Sequence, residues 1–228
     1  MDLIGSTAGE QRTDEWDAIR LGKVTASNVK RLLPGKSGKY LGDREDYKVE
    51  LITERLTGIR MPMFQSDAMK WGTAQEPSAR DAFAKKMNLV VNQVMFVEHP
   101  SIRNCGVSPD GLVASGVEIS NVEIKCPHTK THIETIIRGT ADPDYYPQMT
   151  LQMGACKTKK NYFVSYDPRL PFDMQLVVFE YNLDVAYLAM IEDEIRKFLS
   201  ELEADVDKIL ERFPQYRQAY LLQWRAPK

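Results

Sequence analysis

Cysteine is scarce in this chain: Cys105, Cys126 and Cys156 are the only three among 228 residues. So sparse and odd a set does not build a disulfide framework, and reduced thiols in a cytoplasmic protein are expected. Histidine is equally rare, with three residues. The series Cys126-Pro127-His128 with His132 lacks a paired C-x-x-C, so capping, packing or solvent-facing roles are favoured for His99, His128 and His132 over a zinc site. No run of 18 apolar residues occurs, which excludes a transmembrane helix. The opening MDLIGSTAGEQRTDEW has no basic start followed by an apolar core, so no secretory leader is expected. Internal repeats and low-complexity stretches are absent. Neither charge sign dominates: 30 basic and 32 acidic residues give a formal charge of −2, which argues against a simple basic coat for nucleic acid.

What is present is ordinary globular usage, 43% hydrophobic and 27% charged. A chain this long buries a core without disulfides or a structural metal, and residues 1–228 are read as one domain. Its charge is unevenly spread. Arg20–Lys48 holds eight basic residues against three acids, and Asp184–Phe213 nine acids against four bases. A basic N-terminal region suits a phosphate backbone, but charge alone favours a solvated surface with ion pairs between helix faces. Leu33–Gly42 reads as a mobile basic loop, whose Lys36 and Lys39 are candidates to track a duplex backbone.

Periodicity predicts a helical N-terminal part over about 13–88. Thr13 caps a short helix through Arg20, with Trp16 and Ile19 on one face. Ser27 caps a turn holding Val29, Leu32 and Leu33. Asp43–Leu56 is a helix burying Tyr47, Leu51, Ile52 and Leu56 and stopped by Gly58. Ser66–Met87 is a helix interrupted or restarted near Gly72 and Pro77. The period then changes. Leu89–Val97 reads as a strand, Ser108–Gly111 as a turn, and Leu112–Ala114 and Val117–Cys126 as strands. Helices are expected around Ile133–Arg138 and Tyr145–Lys157, then strands at Tyr162–Tyr166 and Gln175–Tyr181. A closing helix over about 184–213 carries the stripe Leu188, Ile191, Ile195, Phe198, Leu202, Val206, Ile209 and Phe213. The order predicts an α/β fold, a central mixed β-sheet flanked by helices.

The chemistry concentrates in Ser108–Lys125. Asp110 follows Pro109 on a turn, and thirteen residues later Glu123 and Lys125 flank Ile124 on a strand. Positions i and i+2 of a strand share a face, so Glu123 and Lys125 project together, away from the apolar side. If the turn feeds the neighbouring strand of a hairpin, the Asp110 carboxylate meets theirs. Two such carboxylates repel unless a cation lies between them. A hard divalent ion, Mg²⁺ with Mn²⁺ as a substitute, resolves that conflict. Lys125 then orients or helps deprotonate the attacking water. The plain alternative is an exposed Glu–Lys pair beside an ordinary Pro-Asp-Gly turn, and E-x-K alone would not displace it. Tyr145 and Tyr146 are candidates to stack on bases, although a packed aromatic pair is the safer reading.

Pro109-Asp110 with Glu123-Ile124-Lys125 matches the PD-(D/E)XK nuclease pattern. Further segments follow in order: Ile19-Arg20-Leu21-Gly22 with Thr25-Ala26-Ser27; Trp71-Gly72 with Glu76 and Ala79-Arg80; Ser108-Pro109-Asp110-Gly111-Leu112; Glu123-Ile124-Lys125-Cys126-Pro127; Tyr162-Phe163 with Tyr166-Asp167-Pro168-Arg169. This series resembles the bacteriophage lambda exonuclease and viral recombinase (alkaline exonuclease) family.

The resemblance implies a restriction-endonuclease-like core and a metal-dependent exonuclease degrading one strand of linear duplex DNA from its 5′ end. It also implies a homotrimeric ring around DNA, a phage or prophage setting, and a single-strand annealing recombinase that uses the 3′ tail. By position, Asp110, Glu123 and Glu76 are metal ligands and Lys125 serves the water. Arg20, Ser27 and Ser108 fall where the family holds the 5′-terminal phosphate; without the resemblance, Ser27 is equally a cap and Arg20 a surface cation. Gln148 matches a family glutamine. Thr150 stands where the lambda enzyme has a second one facing phosphate, and Gln152, on the same helix face as Gln148, is placed to compensate. An endonuclease or junction resolvase on the same core, or an inactive DNA-end-binding protein, are the alternatives.

Overall fold

Val24–Thr25 (β1) runs parallel to Cys105–Val107 (β4), and Val97–Glu98 (β3) pairs antiparallel on the other side of β4. This small sheet, in the order β1-β4-β3, stands beside a larger one. The larger sheet takes Val91–Asn92 (β2), Gly111–Ser115 (β5), Glu118–Lys125 (β6), Lys160–Tyr166 (β7) and Leu176–Asn182 (β8) in the order β2-β5-β6-β7-β8. It is mixed: β6 pairs antiparallel with β5 and parallel with β7. These relations come from a computed structural model that describes residues 9–35, 37–61 and 65–226.

Around the sheets lie helices Asp14–Arg20 (α1), Gly42–Thr57 (α2), Asp67–Met87 (α3), Thr129–Arg138 (α4), Tyr146–Cys156 (α5), Val185–Arg212 (α6) and Arg217–Tyr220 (α7). The Thr13 hydroxyl accepts from Trp16 N at 3.2 Å and Ser66 caps α3, each taking an amide the first helical turn leaves unpaired. Gly58 ends α2 in the left-handed conformation, φ +69°. Alternation along β6 divides its side chains: Val122 and Ile124 join Ala79 and Phe83 of α3 in one apolar cluster, while Asn121 and Glu123 turn to the α5 side. A second cluster joins α2, α6 and the small sheet through Tyr47, Leu51, Ile191, Ile195, Phe198 and Val107.

Several expectations need correcting. Leu89–Val97 is two short strands in different sheets. Between them the carbonyls of Val94 and Met95 accept from the Gln11 and Ser108 side chains, not from a ladder. Helix α3 continues through Gly72 and Pro77, the proline removing only its own N–H from the helix. The turn after β1 is a 3₁₀ helix, Ala26–Leu32, whose N-cap is Thr25, so Ser27 lies inside it and caps nothing. Leu56 is exposed, and so is Phe213, which lies beyond the last residue of α6 where the chain leaves helical geometry; Leu210 completes the stripe. Lys36 lies outside the described residues, and Lys39 is exposed.

The two charge imbalances face each other. From α2, Arg44 pairs with Glu201, Lys48 with Asp205 at 2.9 Å and Arg55 with Glu203 at 2.6 Å, all on α6. Arg31 adds a two-pronged pair to Glu50 at 2.8 and 2.9 Å. Much of the basic excess is therefore spent inside the fold. The C-terminal segment was not foreseen: after α7 a π turn, Leu221–Arg225, buries Trp224 against Arg55 and Gly22. Gly22 has φ +63°, and a Cβ there would stand 2.6 Å from both Arg55 and Trp224.

Candidate active site

The turn Ser108–Pro109–Asp110 leaves β4 and enters β5, the antiparallel neighbour of β6, so the hairpin that would join the acids exists. Asp110 Oδ2 accepts from the Ile124 amide at 2.7 Å, bringing its carboxylate beside the Glu123–Lys125 segment. Burial raises the Asp110 carboxyl well above its ordinary pKa, and the charges of Glu123 and Glu76 push it further the same way. Two buried acids and a half-buried one thus share one neighbourhood.

Glu123 is 1% exposed. Its Oε1 accepts from Lys125 and from Gln148 Nε2, the latter at 2.7 Å, and its Oε2 from Gln152 Nε2 at 2.6 Å. Gln152 is in turn held by Asn161, which donates to its Oε1 at 3.0 Å. Thr150 is buried and contributes none of these donors. Burial lowers the Lys125 pKa, but Glu123 and Asp110 outweigh it and hold the ammonium above its usual value. Lys125 is therefore a donor and a cation. Its ammonium also sits 5.0 Å from the Tyr145 ring centroid.

Glu76 enters from α3. Its Oε1 accepts from Arg80 at 2.7 Å and its Oε2 from Arg12, while Arg80 also reaches the Asp110 carbonyl at 3.4 Å. Among the described residues no three His, Cys, Asp or Glu side chains stand preassembled as a metal cage. The acids nonetheless fit a hard divalent cation by their chemistry: they offer carboxylate oxygens, and the Asp110 carboxyl, raised by burial and then by two like charges, would be relieved by a cation.

Beside the acids, Ser108 is a hub. Its hydroxyl accepts from Trp16 Nε1 at 3.0 Å and Arg20 Nη1 at 3.3 Å, and donates to the Met95 carbonyl at 2.7 Å. The Arg20 guanidinium lies 3.9 Å from the Trp16 ring centroid. Among the described residues Arg20 has no carboxylate within ion-pair distance, and its buried Nε has no hydrogen-bond partner. Burial, then the charge of Arg60, depresses its pKa to about 10. Arg20, Lys23, Thr25, Asn28, Arg31 and Arg60 line a cleft of about 220 Å³. Ser27 is exposed just outside it, its hydroxyl 3.3 Å from that of Thr25.

Arg12, Gln11, Trp16 and Arg60 were missed from the sequence. Trp16 lies one helical turn before Arg20 on α1, an i, i+4 spacing that could have found it, whereas Arg60 stands near Arg20 only through the fold. The three cysteines are buried free thiols. His132 bonds Ser165 Oγ at 2.7 Å and the Met174 carbonyl at 2.8 Å, so both ring nitrogens are used away from Cys126. Tyr145 stacks on Phe163 and Tyr146 tilts against Tyr181, the packed arrangement.

A mixed sheet carrying acids on a central hairpin and covered by helices is a restriction-endonuclease-like fold. It is shared with the phage-related exonuclease from Haemophilus somnus 129PT, which superposes with a TM-score of 0.61 at 12% identity over 82% of this chain and 96% of that one. Two crystal structures of LHK-Exo, an alkaline exonuclease from Laribacter hongkongensis, one of them in complex with dAMP, are nearer. Both superpose with a TM-score of 0.81 at 42% identity over 89% of this chain and 99% of theirs. No curated protein sequence matches. The family model of the YqaJ-like viral recombinase domain matches residues 15–159. The chain belongs to that family, as the ordered motifs led one to expect, and is a DNA exonuclease. Among the described residues no helix is long and apolar enough to cross a membrane.

Proposed function

We propose that this exonuclease depends on a divalent cation, Mg²⁺ with Mn²⁺ as a substitute. It degrades one strand of linear duplex DNA from the 5′ end, prefers 5′-phosphorylated ends and leaves a 3′ single-stranded tail for recombination. The observation that carries the reading is the convergence of Asp110, Glu123 and Glu76 beside Lys125, with the Arg20–Ser108 pocket starting two residues before Asp110.

Asp110, Glu123 and Glu76 would hold the cation, which when bound polarises the phosphoryl oxygen and offsets charge on the leaving oxygen. The protein does the rest. The Ile124 amide and the two glutamines fix the directions in which Asp110 and Glu123 present their oxygens. Lys125, kept protonated by its acidic neighbours, orients the attacking water as a donor and counters the charge that grows on the phosphate. Arg20, lacking a carboxylate of its own, supplies charge-assisted donors to a 5′-phosphate, and Ser108, whose proton goes to the Met95 carbonyl, holds the guanidinium in the pocket. Ser27, Gln148 and Thr150 join them by position in the family pattern. A homotrimeric ring around the duplex supplies processivity, a single-strand annealing recombinase uses the tail, and the setting is cytoplasmic.

The test is digestion, with Mg²⁺, of three DNAs of one sequence: linear duplex with a 5′-phosphate, linear duplex without it, and a closed circle. Lys125→Ala and EDTA are the controls. The expected result is loss of the linear forms only, fastest with the phosphate and abolished by both controls. Cutting of the circle supports an endonuclease, and retention of ends without turnover supports an end-binding protein.

A further inference from the structure

The segment before α1 reaches into the acid cluster. Gln11 Nε2 donates to the Val94 carbonyl at 2.9 Å and to the Pro109 carbonyl at 2.8 Å, and so grips the residue next to Asp110. Arg12 follows with φ +67°, a left-handed conformation that residues with a Cβ rarely hold unless their surroundings impose it. That turn aims its guanidinium at Glu76 Oε2. The Glu76 side chain is 8% exposed, and that of Arg12 43%. Arg12 thus covers a buried acid from the open side. The other Glu76 oxygen is taken by Arg80 at 2.7 Å, from within the same helix. Glu76 therefore carries two cationic partners, one within its own helix and one on the segment that Gln11 ties to Val94 and Pro109. The Asp110 charge also favours a cation at Arg12.

Arg12 and a divalent cation are rival countercharges for one carboxylate. A cation held by Asp110, Glu123 and Glu76 needs an oxygen that Arg12 occupies, and two positive groups at one oxygen repel. We infer that Arg12 is a built-in competitor for the divalent cation at Glu76, so that cation loading and release of the Gln11–Arg12 segment are a single coupled event. Linkage makes the coupling reciprocal: what Arg12 takes from cation affinity, the cation takes from the hold on the segment. Arg12 acts here as a positioning residue. The inference rests on reading the three acids as cation ligands.

Mn²⁺ binding, followed without DNA by the electron paramagnetic resonance signal of free Mn²⁺, tests it on the full chain. Arg12→Ala is expected to bind Mn²⁺ about five- to tenfold more tightly than the wild type, the usual size of a coupling between sites. Arg12→Gln, which retains side-chain bulk, is expected to shift the same way and serves if Arg12→Ala fails to fold. Amide hydrogen exchange over residues 9–13 supplies the reciprocal readout: Mn²⁺ is expected to speed it in the wild type. A merely structural role for Arg12 would weaken Mn²⁺ binding in the variants, not tighten it. Equal or weaker binding in a folded variant, or exchange that Mn²⁺ leaves unchanged or slows, overturns the inference while leaving the cation reading intact. No Mn²⁺ binding by wild type or variants overturns both.

Discussion

The Trp16 indole donates to the Ser108 hydroxyl at 3.0 Å and helps fasten α1 to the turn that carries Asp110. The same hydroxyl receives Arg20 and gives its proton to Met95. Ser108→Ala strands all three partners. A loss of about 2 kcal/mol is expected, the cost of leaving buried polar groups unsatisfied, and urea unfolding measures it. If the hydroxyl belongs to a phosphate pocket, KM should rise more for 5′-phosphorylated than for 5′-hydroxyl ends. An equal rise for both would confine Ser108 to a structural role.

Asp110→Asn separates stability from activity. The amide keeps an acceptor for the Ile124 N–H but removes the charge that burial, Glu123 and Glu76 all disfavour. In EDTA the variant should be more stable by about 1–2 kcal/mol, as is common where an active-site charge is neutralised. Cleavage should be abolished. A loss of stability in denaturant titrations would contradict the crowding of the acids.

Gln152→Ala leaves Glu123 Oε2 without its 2.6 Å donor and frees Asn161 from its acceptor. Residues that orient a ligand in this way typically contribute about 10–100-fold to metal affinity or activity. A drop of that size in kcat is expected, with KM for DNA little changed. Thr150→Ala, at a buried residue that donates nothing to Glu123, should have a much smaller effect on kcat.

Asp167 gives the fold a signature in acid. Burial raises its pKa, but Arg169, bonded through Nε at 2.7 Å and Nη2 at 3.0 Å, and Thr129 reverse this and bring it to about 2. A carboxyl whose folded pKa is depressed stabilises the fold above its ordinary value of 3.8 and loses that contribution as pH falls through about 2. The contribution at neutral pH is about 2 kcal/mol. The stability gap between wild type and Asp167→Asn should therefore be widest at pH 7 and shrink below about pH 4. A gap that is constant with pH would show that the asparagine merely packs badly.

Local chemistry was readable where one residue decides an outcome. Thr13 and Ser66 start their helices, Gly58 stops another, and the strict alternation of Val122–Lys125 sorts apolar from polar faces correctly. The candidate motif was legible because Pro109-Asp110 and Glu123-Ile124-Lys125 form a recognisable pattern, and the β5–β6 hairpin brings its two halves together. What the sequence hid is decided between distant segments. Leu89–Val97 has strand composition, yet Gln11 and Ser108, far from it along the chain or across a turn, claim two of its carbonyls. Arg12 carries no signal, because nothing local predicts a left-handed arginine. The basic excess of the N-terminal region favours ion pairs between helix faces over a DNA-facing surface on charge alone, and the structure has such pairs; what the sequence hid is that Arg44 and Lys48 find their partners on α6, more than a hundred residues away.

Ser108 and Asp110 are separated by a single proline, so on the proposed function the end-recognition pocket and the cutting centre are joined by two peptide units. Their backbones stand no more than about 7 Å apart, a limit set by bond lengths. A ruler made of covalent bonds cannot be stretched by temperature, denaturant or a mutated neighbour. On the proposed function, lesions elsewhere in the molecule can slow the enzyme or unfold it, yet the interval between the gripped terminus and the severed bond should stay the same.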